Sequence, residues 1–242
     1  VDLESKEKLK NNLEKKLKKL IKTELSDLVN LSESKFENSY VRALGYQLFE
    51  NNGVIKRETI SNIIKSVPKE LRINFRRAGI KIGRYHIFLP KMLKPNAVKL
   101  RVKLWKLYFP NDKENIIPKS GLNFLNNEKQ KNKKFLLICG FENFDKFYVR
   151  VDILEKLFIK IIENTKDGMF TIDSGMINLL GCTKENFYKL LELMQYKPKK
   201  IKESKEEFFI YQPRHKKMKV RKIAKKTDKN NPFEKLSELR FR

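Results

Sequence analysis

Only two side chains of the sequence could serve as neutral bases near pH 7, His86 in "GRYHIFLP" and His215 in "RHKKMK". His86 falls in a strand-like run and reads as a partly buried structural histidine, while His215 stands in a lysine-rich tail. The two cysteines, Cys139 in "LLICGF" and Cys182 in "LLGCTK", lie far apart in apolar surroundings. That suits small buried thiols of a reducing, cytoplasmic compartment and makes no zinc-ligand pair. Glu206 and Glu207 read as solvated carboxylates of a β-hairpin. A phosphate-cradling GxxxxGK[ST] loop needs two glycines five apart followed by lysine, and none of the nine glycines is so placed. The patterns GxGxxG, HExxH and GxSxG are missing as well. These residue types predict no catalytic residue, no metal site and no cofactor in this chain.

Charge is the more informative property. Fifty-five Lys and Arg against 29 Asp and Glu leave a formal net charge of +26 on 242 residues, which concentrates polyanions around a protein before any specific contact forms. Part of the lysine excess accompanies the Asn and Ile content that an AT-rich genome produces. Nucleic acid is nevertheless the leading partner, because no run of about 18 apolar residues offers a membrane span. With 40% hydrophobic residues the chain can bury a core of its own. Beginning "VDLESKEKLK", it shows neither an initiator methionine nor a secretory signal and reads as a piece of something longer.

The elements that must present this charge are short. Over residues 1–39, Leu9, Leu13, Leu17, Leu20, Leu25 and Leu28 recur at helical spacing, predicting one long amphipathic helix. Within 40–110, "YVRALGYQLFENNG", "RETISNIIKSV" and "PKELRINFRRAG" predict three helices ending in the strand-like "IKIGRYHIFLP", the order of a winged helix. The following "KPNAVKLRVKLWKLYF" predicts a mostly buried helix with a narrow stripe of Lys99, Lys103 and Lys106. Residues 111–134 read as a polar surface connector.

Residues 135–213 repeat the winged-helix order: "VRVDILEKLFIKIIENTKDG", the short strand "MFTID", "SGMINLLG", "TKENFYKLLELMQY" capped by Thr183, and a wing from "KPKKIKES" and "KEEFFIYQP". The two blocks align, Gly53 with Gly168, Ile60 with Met176, Ile64 with Leu180, Leu71 with Phe187, Phe75 with Leu191 and "YHIFLP" with "FFIYQP", a weak internal duplication. Residues 214–242 form a basic tail that closes on a short apolar helix, "PFEKLSELRFR". The expected fold class is mainly α with small β-hairpins, a helical array holding one or two winged-helix-like units.

On the helix from Pro68 to Gly79, Leu71, Phe75 and Ala78 make one face, while Lys69, Arg72 and Arg76 lie roughly 120–150° away. Arg77, Lys81 and Arg84 extend this basic surface. In the second block Lys184, Glu185, Lys189 and Glu192 nearly cancel, so its wing lysines Lys199, Lys200 and Lys202 are the better contacts, joined by Lys216, Lys217, Arg221 and Lys222 of the tail. Charge spread in this way predicts backbone binding, salt-dependent and poor in sequence selectivity.

Four segments in one order, "GIKIGRYHIFLPKMLKPNAVKLRVKLW", "YVRVDILEKL", "MINLLGCTKENFYKLLELMQYKPKK" and "NPFEKLSELR", resemble the C-terminal region of alphaproteobacterial ATP-dependent superfamily 2 helicases related to the mitochondrial degradosome RNA helicase. The resemblance implies upstream RecA-like motor domains in the same polypeptide, with ATP and magnesium belonging to those domains. It also implies an accessory role here, on RNA or DNA with single strands favoured. One departure is that the family's "LGY" at the end of the last helix reads "MQYK" here, which sets the tight turn there in question. Two other classes fit the residues: a free-standing winged-helix regulator, which would select a palindromic site, and a protein-interaction scaffold whose basic tail is incidental.

Overall fold

The computed structural model describes residues 3–33, 38–110, 117–126, 132–200 and 207–213. Two helices, α1 (Leu3–Glu24) and α2 (Ser26–Glu33), replace the single N-terminal helix expected, the register breaking at Leu25. The break divides two environments. Leu25, Leu28 and Leu31 are buried in the first core, whereas Leu9, Leu13, Leu17 and Leu20 remain 45–60% exposed.

Three antiparallel three-stranded sheets follow, each made in the same way. The first module runs α3 (Ser39–Glu50), β1 (Val54–Lys56), α4 (Ser61–Ser66), α5 (Arg72–Arg77), β2 (Lys81–Ile82) and β3 (His86–Phe88), with 3-10 turns leading into α4 and α5. The second runs α6 (Pro95–Tyr108), β4 (Phe124–Asn126), α7 (Lys133–Ile138), β5 (Phe141–Phe144) and β6 (Phe147–Arg150). The third runs α8 (Val151–Glu163), β7 (Met169–Thr171), α9 (Ser174–Leu180), α10 (Lys184–Leu193), β8 (Tyr196–Lys200) and β9 (Glu207–Tyr211). Strand orders β1-β3-β2, β4-β6-β5 and β7-β9-β8 are identical: the first strand pairs with the last, and the middle one takes the other edge.

The expected mainly α fold with small hairpins is present, and the winged-helix order occurs in both blocks that predicted it. The middle copy was not anticipated. The 111–134 connector contains β4 and the start of α7, and α7, β5 and β6 at the head of the 135–213 block belong with α6 to the middle module. Between β4 and α7 the described residues hold no counterpart of α4 or α9.

Local chemistry explains where the elements stop. Asn38 caps α3 by accepting from the amides of Tyr40 and Val41 at 3.0 and 3.3 Å, and Asn132 and Thr183 do the same for α7 and α10. In each module the helix before the second strand ends on a left-handed residue: Gly79 (φ 75°), Gly140 (φ 85°) and Gln195 (φ 72°). The tight turn questioned at "MQYK" therefore forms, with glutamine bearing a conformation that glycine adopts freely, at a cost of about 1 kcal/mol. The aligned glycines, Gly53 and Gly168, both precede first strands. The alignment of the third strands is corrected by one residue, because Ile87 pairs with Ile55 as Phe209, not Ile210, pairs with Phe170.

Each module has its own core, around Phe75 and Leu44 in the first, Phe135 and Tyr148 in the second, and Leu157 and Phe187 in the third. Val54, Phe88 and Val151 form a small cluster shared by all three, against Leu93 and Leu137. The middle module's α7 lies against β1 and buries Phe135, Leu136 and Ile138. Helix α6 is buried only over its first half, at Ala97, Leu100, Arg101 and Val102, and its last turn is open, which corrects the expectation of a mostly buried helix. Arg101 is enclosed because its guanidinium donates to the carbonyls of Asn52 (2.7 Å) and Met92. Burial lowers its pKa to about 10, which leaves it charged at neutral pH. No described helix is long and apolar enough to cross a membrane.

Candidate nucleic-acid interface

Among the described residues, the first module gathers four cations around one groove. Phe75 is fully buried, and Arg72 and Arg76, about 60° and 100° round α5 from it on the same side, are exposed. Beside them the β2–β3 hairpin presents Lys81, whose ammonium stands 5.7 Å from the Phe88 ring centroid. Between helix and hairpin lies a groove of about 680 Å³ walled by Ile64, Val67, Ile80 and Ile82, with Arg57, Arg72, Arg76 and Lys81 along its lining and no carboxylate among the lining residues.

Arg57 escaped the sequence reading because it starts a separate element 15 residues before Arg72. It is also the most constrained cation of the set, with Nη1 donating to the Gly83 carbonyl at 2.8 Å and its own amide donating to the Tyr85 carbonyl at 2.8 Å. A guanidinium held in place loses less side-chain freedom when it meets a phosphate.

The remaining candidates are divided. Lys69 and Arg77 are exposed but do not line the groove. Arg84 lines a neighbouring cleft of about 510 Å³ that shares Arg57 with the groove and also draws on the second and third modules through Glu142, Phe144 and Tyr211. Its guanidinium stands 5.8 Å from the Phe158 ring centroid. Lys199 is exposed on β8 of the third module, where Lys200 pairs in backbone register with Glu207. Glu207 is half-buried and accepts from the Tyr188 hydroxyl at 2.8 Å, not the solvated carboxylate expected. Lys202, Lys216, Lys217, Arg221 and Lys222 lie outside the described residues, as do Glu206, His215 and the terminal helix expected in the tail.

What holds the hairpin is a buried ionic cluster. The Glu155 carboxylate, from α8, accepts the amides of Arg84 (2.6 Å), Tyr85 (2.8 Å) and His86 (2.9 Å) in succession. His86, 1% exposed and not partly buried as expected, places Nε2 2.7 Å from Glu142 of β5. Lys56 donates to the other oxygen of Glu142. Burial pushes the His86 pKa down, but the hydrogen bonds and charges of Glu142 and Glu155 outweigh it, and the net direction is up. For both glutamates burial pushes up, and His86 together with Lys56 or the three amides brings the net direction down. The cluster thus sets the His86 ring between two carboxylates, Nε2 2.7 Å from Glu142 and Nδ1 3.8 Å from Glu155, which favours its protonated form and ties the three modules together. In the sequence, Glu155 was visible only as a carboxylate about 40° from Val151 on an otherwise apolar face of α8.

Among the described residues no group of three or more His, Cys, Asp and Glu could hold a metal ion. None of Arg72, Arg76, Arg77 and Lys69 is paired with a described carboxylate. Comparison with known proteins finds no family model that matches the chain, no matching curated protein and no matching solved structure.

Proposed function

We propose that this chain is a nucleic-acid-binding segment that grips backbone phosphates through its first winged-helix module. The observation that supports it most is the groove between α5 and the hairpin, with four cations and no carboxylate in its lining. Arginine forks match phosphate oxygens and four unopposed cations act on any backbone, so affinity should depend on salt far more than on sequence. The resemblance to helicase C-terminal regions extends the proposal: the segment holds or guides a strand for a motor carried elsewhere in the polypeptide, to which ATP and magnesium belong.

The test is fluorescence anisotropy of the purified chain with labelled single-stranded RNA, single-stranded DNA and duplex DNA across a salt series. The triple variant Arg72→Ala, Arg76→Ala, Lys81→Ala removes three groove charges. It is expected to weaken all sequences alike and to flatten the log–log salt slope by about 2 for single strands. Arg84→Ala, in the other cleft, is expected to change the slope by less. Unaltered affinity and slope in the triple variant would overturn the assignment of the groove. A second reading, a protein contact, is favoured by the exposed leucines of α1, and its mark would be partner binding that salt leaves unchanged.

A further inference from the structure

We propose that the cleft where the three modules meet seats one unpaired nucleotide of a strand whose backbone lies in the groove, an inference that rests on the phosphate-binding reading above. The cleft's volume of about 510 Å³ falls within the roughly 300–1,000 Å³ of small-ligand sites. Arg57 lines both openings, so they adjoin and a strand can pass from one to the other.

One residue of the cleft keeps a side chain against its backbone preference. In the first and second modules the left-handed residue before the second strand is a glycine, Gly79 or Gly140; in the third it is Gln195, which lines the cleft. The other described non-glycine residues with positive φ are Asn52, Asp145 and Asp167, types that tolerate this region better than glutamine does. The backbone amide of Gln195 donates to the Glu192 carbonyl and its carbonyl accepts from the Gln212 amide, bonds that glycine would make equally well. A strained residue of this kind at a cleft points to a role for its side chain there.

The rest of the lining fits a whole nucleotide rather than a bare phosphate. Lys56 is taken up by Glu142, which also pairs with His86, so Arg57 and Arg84 are the cations left for a phosphate. Unlike the groove, the cleft adds an exposed carboxylate, Glu58. A carboxylate repels a phosphate, but a base edge presents N–H groups that it and the Gln195 amide oxygen can accept. Tyr211, 47% exposed and backed by the Tyr196 ring at 5.4 Å between centroids, offers a planar face. In a duplex the base edges are paired and the bases stack on one another, so only an unpaired nucleotide can use such a site. The groove takes any phosphate backbone, the cleft only a single strand.

The full chain is titrated with labelled oligo(dT) of about 15 nucleotides, within the length that one single-strand site covers, and with duplex DNA, following anisotropy. Gln195→Gly is expected to weaken oligo(dT) about fivefold, the loss of one ordinary hydrogen bond. Tyr211→Ala is expected to weaken it about fivefold or more, the low end for one base stacked on an aromatic ring. Neither variant affects duplex binding, and Gln195→Gly, relieved of its backbone strain, unfolds on heating no earlier than wild type. Thymidine 5′-monophosphate, the same nucleotide without its strand, does not displace oligo(dT) at equal concentration.

If Gln195→Gly and Tyr211→Ala bind oligo(dT) as wild type does while the groove triple variant is weakened, the cleft is refuted and the groove stands. A lower Tm in Gln195→Gly would show that the glutamine serves the fold, and equal losses on oligo(dT) and duplex would show a contact indifferent to pairing; either result overturns the seat for an unpaired nucleotide. Displacement by the free nucleotide would overturn the assignment to a strand. Binding of the wild-type chain to neither oligo(dT) nor duplex would refute both the cleft and the reading on which it rests.

Discussion

Gly83 and Glu155 should be coupled in stability although 72 residues separate them in the chain. Gly83 does not adopt a left-handed backbone conformation, so alanine there is conformationally acceptable. The obstacle is space, because an added Cβ would sit 2.6 Å from Glu155 Oε1 and nearer still to Cδ and Oε2. Glu155 is 3% exposed and its carboxylate accepts three amides, so it cannot swing aside without abandoning them. Crowding of this kind costs about 1–3 kcal/mol and a hydrogen bond to a charged group contributes about 1.5–3 kcal/mol. Gly83→Ala is therefore expected to lower stability by about 3 kcal/mol, roughly 6–12 °C in Tm for a unit of this size.

Glu155→Ala alone removes the acceptor of three amides and a carboxylate beside the buried His86, and should cost about 3–5 kcal/mol. With the carboxylate gone, however, the added methyl has room, and Gly83→Ala should then cost less than about 0.5 kcal/mol. The assay is urea unfolding followed by far-ultraviolet circular dichroism on all four members of the cycle. Additive losses, or a neutral Gly83→Ala in the wild-type background, would refute the claim that this carboxylate anchors the hairpin.

Two further outcomes are expected. His86 has a folded pKa above its ordinary value of 6.5, so its stabilisation is fully present below pH 6.5 and is lost as pH rises through the folded value. Glu142 and Glu155 have depressed values, so theirs is present above about 4.5 and lost only as the solution is acidified below it. Thermal unfolding from pH 5 to 9 should show the advantage of wild type over His86→Gln constant up to about pH 6.5 and shrinking above it; an advantage that widened with pH would contradict the raised His86 pKa. The two free thiols should also react unequally with a disulfide reagent in the native state. Burial pushes Cys139 up to about 12 and raises half-buried Cys182 as well, so Cys182 is expected to react first and Cys139 only on unfolding, as read by thiol release.

How much of this was legible depended on whether the deciding signal was local. The leucine period of the N-terminal segment, the caps at Asn38 and Thr183, and the stops at Gly53, Gly79 and Gly181 are short-range features that a sequence carries openly. So is the division of the α5 helix between a buried Phe75 and an exposed Arg72 and Arg76. The middle module was hidden because its turn lacks the usual signal: Phe144 pairs with Phe147 across a two-residue loop, Asp145-Lys146, with Asp145 at φ 53° where glycine or asparagine would have announced a hairpin. Its apolar run "FYVR" also runs without a break into the helix that begins at Val151.

The sequence by itself determined the helical periods, the positive charge and the order of the first and third modules. Only the tertiary structure decided which charges stay in water. Lys56, His86, Glu142 and Glu155 come from four elements of three modules, and no spacing in the chain links them. An ionised group is tolerated out of water only when its partners stand within hydrogen-bond distance. That condition depends on separation in space, which sequence separation does not encode, and the same closure leaves Arg57, Arg72, Arg76 and Lys81 together around one open groove.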